Sequence, residues 1–209
     1  MAQRMPAFFI ADSPGLDFLN SVATPVDVPI DWIGDGGGLL FWLEQARLVP
    51  AAVLAAMRER AMPGEFDRLA AQARSLREWF RAFVHEHKGR PLRVADLSAL
   101  EPLNLLLARD EGFGKIVTHE HNGAVSLEFE RSRRWTSPES LLLPIGEILA
   151  KLVCDEDFSY VKACEGPTCT LMFADHTRGH ARRWCSMSAC GNRAKQAAHR
   201  NRLKRPRIE

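Results

Sequence analysis

Between residues 66 and 84 the apolar positions are Phe66, Leu69, Ala70, Ala73, Leu76, Phe80, Phe83 and Val84. That is the three- and four-residue spacing of one helix face, and its aromatics read as core. Pro63-Gly64 separates this helix from an Ala- and Arg-rich stretch over 50–62 that is helical by propensity. A further helix is predicted over Val94 to Ala108, bent or restarted at Pro102. Ser137-Pro138-Glu139 reads as a helix start, with Ser137 as cap and proline in the first turn. The helix it opens carries Leu141, Leu142, Ile145, Ile148, Leu149 and Leu152, with Pro144 a kink or a second start. Near the N-terminus, Gly36-Gly37-Gly38 reads as a flexible loop running into a short helix at Leu39 to Leu43. No Lys-Ser/Thr follows the glycines and no clear strand precedes them, so that loop is preferred over a phosphate cradle.

The period changes between Lys115 and Glu130. Val125 to Glu130 alternates, and Asn122-Gly123 is a preferred two-residue hairpin turn. A turn there pairs Ile116 with Phe129, Thr118 with Leu127 and Glu120 with Val125, placing the apolar members on one face. His119 and His121 fall together on the other face, where they could offer two metal ligands but no third is evident, so exposed hairpin residues are the preferred reading. The predicted fold is mainly α with a small β-hairpin (α+β). A helical N-terminal domain over residues 1–157, with its hairpin near 115–130, leads without a flexible linker into a small C-terminal unit over 158–209.

The chain has 209 residues, 46% of them hydrophobic, enough for one substantial core and a small appendage. Its apolar runs fall short of the roughly 20 residues of a membrane span. The N-terminus lacks the apolar region and cleavage site of a signal peptide, so a cytoplasmic protein is expected. Net charge is only +2, but it divides unevenly. Residues 1–161 hold 17 basic and 23 acidic side chains, whereas 162–209 hold 11 and 3. A basic end on a mildly acidic body fits a polyanionic partner for that end, or a solvated tail.

Four of the five cysteines lie in that end. Cys164 and Cys169 form one pair, Cys185 and Cys190 another, with fifteen residues between them. Structural zinc takes four thiolate or imidazole ligands, often from two close pairs on short knuckles. The Cys164, Cys169, Cys185, Cys190 set is preferred. A set of Cys164, Cys169, His176 and His180 is its rival, since the histidines have finger-like spacing, and two disulfides are a third reading. Cys154 lies outside the pattern and reads as a buried or idle thiol. The 45 or so residues around the cysteines hold few large apolar side chains. Metal binding, worth about 10–16 kcal/mol in small finger peptides, would therefore drive their folding, with Phe173 and Trp184 as a minimal core.

Several runs in this region resemble the CGNR zinc-finger family. They are Cys164-x4-Cys169, Phe173-x-Asp175, Arg182-Arg183-Trp184-Cys185-Ser186-Met187 and Cys190-Gly191-Asn192-Arg193-Ala194-Lys195. Bacterial members place this finger after an ABATE domain, a helical region assigned to stress-induced transcriptional regulation. Asp17-Phe18-Leu19-Asn20-Ser21 is similar to the Asp-Phe-x-Asn-Thr element near the start of that domain, with Ser for Thr. Leu39 to Leu48 resembles its next helix. The resemblance implies four cysteine ligands to zinc, a cytoplasmic bacterial protein and DNA binding.

On that reading zinc fixes a platform from which a basic helix projects after Cys190. Candidate nucleic-acid contacts are Arg182, Arg183, Asn192, Arg193, Lys195, Gln196, Arg200, Arg202, Lys204 and Arg205. The distal arginines suit phosphate, while Asn192, Arg193 and Gln196 suit base edges. Asn192 and Arg193 have a rival role in buttressing the zinc sulfurs. The body is then a sensor or a dimerisation module, and a homodimer is among the expected assemblies. Asp17 and Asn20 could anchor a ligand there, but capping a helix or tying down the opening segment is the favoured role. RNA binding and a zinc-built protein adaptor are the alternatives to DNA. An enzyme is not expected, because the chain offers no nucleophile with a base, no paired carboxylates and no cofactor loop.

Overall fold

The computed structural model describes residues 4–24, 28–121 and 123–204, with side chains described as far as residue 197 and at 200. Arg202 and Lys204 are described in backbone only, and Arg205 and Asn122 lie outside the described residues. The body is built from helices α1 (Pro14–Leu19), α2 (Gly36–Gln45), α3 (Ala51–Arg60), α4 (Glu65–His87), α5 (Glu101–Leu107) and α6 (Leu143–Asp155). Strands β1 (Val22–Ala23) and β2 (Ile30–Asp31) pair between α1 and α2, and β3 (Gly112–His121) pairs with β4 (Ala124–Arg133) between α5 and α6. The C-terminal unit follows with β5 (Val161–Ala163), β6 (Met172–Ala174) and α7 (Asn192–Lys204).

The long amphipathic helix is α4, which buries Leu69, Ala70, Ala73, Phe80, Phe83 and Val84. It also buries Arg77, which the hydrophobic pattern did not single out. That guanidinium grips Asp31 through two 2.9 Å bonds and reaches Ser21 Oγ at 3.1 Å. A buried charge needs such partners, and these fix β2 and the end of α1 against α4.

Four expectations are refined. The stretch from Val94 is a 3₁₀ segment to Leu100, and α5 restarts at Glu101 with Pro102 in its first turn. The stretch from Pro138 to Leu142 is likewise 3₁₀, and α6 opens at Leu143 with Pro144 in its first turn. Both prolines are second starts, because proline lacks the N–H a helix interior needs but suits a first turn. Ser137 has the extended backbone of a cap, yet its side chain caps nothing. The three glycines belong to α2 and are not a loop. Asp35 caps them, accepting from Gly38 N at 2.7 Å, and Asp67 accepts from Gly36 N at 2.8 Å.

The β3–β4 register is the one the alternation implies, with Ile116 opposite Phe129, Thr118 opposite Leu127 and Glu120 opposite Val125. Gly123 takes the positive φ of 78° such a turn requires. Two more two-stranded ladders exist, β1–β2 and β5–β6, both too short to leave an alternating signature.

One hydrophobic core runs through the whole molecule. Leu16, Phe18, Leu19, Trp42, Phe80 and Leu149 of the body join Leu171, Met172, Phe173, Ala174 and the buried cysteines in a single cluster. The C-terminal unit therefore does not fold around Phe173 and Trp184 alone. It borrows its core from the body, and Trp184 is only partly buried at its rim.

Candidate metal centre and its basic helix

Two turns deliver the four sulfurs. Cys164 follows directly after β5 and Cys169 closes a tight turn through Gly166, Pro167 and Thr168, where Cys169 N donates to Gly166 O at 3.0 Å. Cys185 precedes a wide turn over Met187–Gly191 that ends as α7 begins. There Cys190 N and Gly191 N both donate to Ser186 O at 3.0 Å. The four Sγ atoms lie within 4.8 Å of one another. Cys169 and Cys185 are 3.8 Å apart, and Cys185 and Cys190 are 3.6 Å apart. Four sulfurs about 2.3 Å from one zinc would stand about 3.8 Å apart, so the cluster has the dimensions of a closed tetrahedron.

The surroundings fit an anionic thiolate cluster. Gly166 N and Cys185 N donate to Cys164 Sγ at 3.4 and 3.3 Å. Arg193 Nη2 donates to Cys190 Sγ at 3.1 Å, and its Nε reaches Ala189 O at 3.2 Å. A Cβ on Gly166 would lie 3.0 Å from Cys169 Cβ and 3.2 Å from Cys190 Sγ, so a larger residue there would press on the cluster by a few tenths of an ångström. Hydrogen bonding from Cys185 draws the Cys169 thiol down to about 5, and the same contact pushes Cys185 up. Sulfurs this close cannot all ionise beside one another without a cation between them. Cys164, Cys169, Cys185 and Cys190 thus hold a structural zinc, which neutralises the thiolates and leaves no position for a reacting water.

The rival sets fall away on geometry. His180 stacks on Tyr160 with ring centroids 3.4 Å apart and bonds Asp175 O through Nδ1 at 2.8 Å. His176 bonds Glu156 at 2.7 Å. Neither histidine joins the cluster. All five cysteines are free thiols, and Cys154 is exposed, not buried.

The candidate nucleic-acid residues divide into two groups. Arg182 is turned inward. It stacks 4.2 Å from the Phe173 ring, donates to Ile10 O and Trp184 O at 3.0 Å each, and also bonds Asp12 and Cys185 O. Arg183 is exposed and paired with Glu165. Asn192, Lys195, Gln196 and Arg200 are exposed on α7. Arg193, Gln196 and Arg200 line one wall of a groove of about 240 Å³, with Gly166, Pro167 and Thr168 on the other and Cys169 and Cys190 beneath. The buttressing role belongs to Arg193, because the Asn192 side chain bonds nothing among the described residues.

Asp17 and Asn20 join the two halves of the molecule. Asp17 Oδ1 accepts from Ile10 N and Ala11 N at 2.9 and 3.0 Å, holding the opening segment, whose Ala11 O accepts from Ala174 N of β6 at 2.9 Å. Asn20 donates to Met172 O at 2.8 Å and accepts from Met172 N at 2.9 Å. Both side chains are buried and committed to backbone partners, as tethers would be. Asp175, the last residue of the Phe173-x-Asp175 run, carries a role that its spacing alone does not reveal. It is fully buried and gathers Lys162, Thr177 and the backbone of Arg182, which orders the loop between the cysteine pairs.

Two family models match in sequence order. Residues 12–156 match ABATE, described as "Putative stress-induced transcription regulator", and residues 160–203 match the CGNR zinc finger. No curated protein matches the chain. Among the described residues no helix is long and apolar enough to cross a membrane. With an ABATE match over more than half its length and the four CGNR cysteines gathered at one point, the chain belongs to the ABATE family and ends in a CGNR zinc finger.

Proposed function

We propose that this protein is a cytoplasmic transcriptional regulator that grips DNA with its zinc finger, while the N-terminal body senses a signal or sets the assembly state. The groove between the Pro167–Thr168 turn and the face of Arg193, Gln196 and Arg200 carries the reading. Zinc fixes both walls, one wall is cationic, and the segment around it holds the excess of 11 basic over 3 acidic residues. Such a wall suits a phosphate backbone, and Gln196 and Asn192 beside it suit base edges. Arg193 supports the cluster through Cys190, so Arg200 and Lys195 are the side chains proposed to meet phosphate.

The test is a binding titration of the zinc-loaded protein against duplex DNA and matched RNA at several salt concentrations. The expected log–log slope steepens by about 0.9 for each phosphate neutralised. Arg200→Ala should make it shallower by about that one increment while the fold stays intact. Binding that ignores salt defeats the proposal, and a preference for RNA over duplex DNA moves it to the other polyanion.

A further inference from the structure

The β3–β4 hairpin carries its apolar residues in solvent. Ile116 and Leu127 are 74% exposed, Phe129 72% and Val125 69%, all on one face. The opposite face is mixed: Phe113 near the base lies under the Arg134 guanidinium at 5.0 Å and Val117 is half-buried, while the rest is mostly polar, with Lys115 3.0 Å from Glu130 and His119 3.9 Å from Glu128. The hairpin is pinned at its base, where Arg133 bonds Asp110 at 2.7 Å and reaches Glu147 at 3.1 Å. Beyond that base, β3 and β4 pair only with each other among the described strands. An isolated two-stranded hairpin is marginal in water, and an amphipathic one gains most from covering its apolar side.

The charges on that face are arranged end to end. Row by row it holds Gly114 with Arg131, Ile116 with Phe129, Thr118 with Leu127 and Glu120 with Val125. Arg131 stands at the base end and Glu120 at the tip end, about 20 Å apart at the usual strand rise. Both are exposed. The Phe129 ring leans over Gly114, where a Cβ would lie 2.4 Å from its Cζ. The face therefore reads cation, apolar centre, anion along its length, an order that complements itself when reversed.

We propose that this face docks on the same face of a second copy of the chain, the two hairpins stacked antiparallel about a twofold axis at the Val117–Glu128 row. Reversal about that row sets each Ile116–Phe129 row over the Thr118–Leu127 row of the other copy. It also brings each Arg131 within reach of the second copy's Glu120. The four large side chains expose on the order of 500 Å² per copy, the size at which an apolar patch marks an interaction site. Two copies together approach the roughly 1,000 Å² a specific interface needs. A lipid surface fits less well, because it would have to accept an acid and a base at the two ends of one apolar strip. The inference concerns the body and does not depend on what the finger binds.

Sedimentation of the full zinc-loaded chain up to about 100 μM tests it, since a micromolar dimer is the dominant species there. The wild type should sediment as a dimer. Leu127→Asp and Phe129→Asp should each weaken it at least about tenfold, with circular dichroism unchanged and with an unfolding midpoint equal to that of the wild type at concentrations low enough for both to be monomers, because in the single chain both side chains lie in water. Glu120→Arg and Arg131→Glu should each weaken the dimer, and the two together should restore it. A monomer throughout overturns the proposal, as does a dimer indifferent to the aspartates. A charge exchange that fails to restore association overturns the antiparallel register. A monomer that instead cosediments with phosphatidylglycerol vesicles overturns the second copy as occupant.

Discussion

The side-chain amide of Asn20 pairs with the main chain of Met172, 152 residues away, through one donated and one accepted hydrogen bond. It acts as one residue of an extra strand laid along β6. Asp17, one turn earlier, holds the opening segment, whose Ala11 also bonds β6 through Ala174 N. Both tethers thus leave the start of the body and converge on the same short strand of the finger.

Asn20→Ala strips two buried backbone groups of their partners, and each buried group left unsatisfied costs about 1–3 kcal/mol. Stability should fall by about 2–6 kcal/mol in denaturant titration, and the amides of Met172 to Ala174 should exchange faster. Asn20→Asp should not rescue it, since the carboxylate accepts from Met172 N but cannot donate to Met172 O.

Zinc removal should act beyond the finger. Chelation, or Cys185→Ser, takes away a contribution of about 10–16 kcal/mol in comparable small sites. Bound metal should drop from about one zinc per chain to none. Residues 164–191 should lose exchange protection, and the opening segment that pairs with β6 should loosen with them. The helices of the body, with their own packed faces, should persist in circular dichroism.

Two neighbouring arginines should behave oppositely. Arg182→Ala removes the stack on Phe173 and bonds to both the opening segment and the Trp184–Cys185 backbone. A loss of about 3 kcal/mol or more is expected from several charge-assisted hydrogen bonds removed together. Arg183→Ala removes an exposed pair with Glu165 and a surface contact with the Trp184 ring at 5.1 Å, each worth at most about 1 kcal/mol, and its thermal midpoint should stay far closer to the wild type than that of Arg182→Ala.

Burial raises Asp17 from 3.8 to about 6, although hydrogen bonds from Ala11 and Ile10 pull the other way. The native state then holds a proton that the unfolded chain has already released between pH 3.8 and 6. Stability from this residue is greatest below that window and falls as pH rises through it. Asp17→Asn still accepts both backbone bonds and carries no charge. Its stability relative to wild type should therefore climb by up to about 3 kcal/mol across the window and level off above it. A difference that stays flat with pH would show that Asp17 does not titrate in this range.

Local pattern and spacing determined much of this protein. The spacing of Phe66 to Val84 dictates α4, because only one helical face collects those residues. The alternation of Val125 to Glu130 about Gly123 dictates the hairpin register, because a slip by one residue would scatter the apolar side chains over both faces. The two cysteine pairs dictate the zinc ligands once the histidines are set aside, and the exclusion of His176 and His180 came from their positions in space. What only the tertiary structure decided is where the faces go. Periodicity says that Ile116, Leu127 and Phe129 share a side, but not that this side meets water instead of the core. Nor does local spacing show that Arg182 points inward while Arg183 points outward, or that Asn20 completes a strand of the finger. Those outcomes rest on contacts between residues as much as 172 positions apart, and an interaction at that separation leaves no period in the chain for a local reading to find.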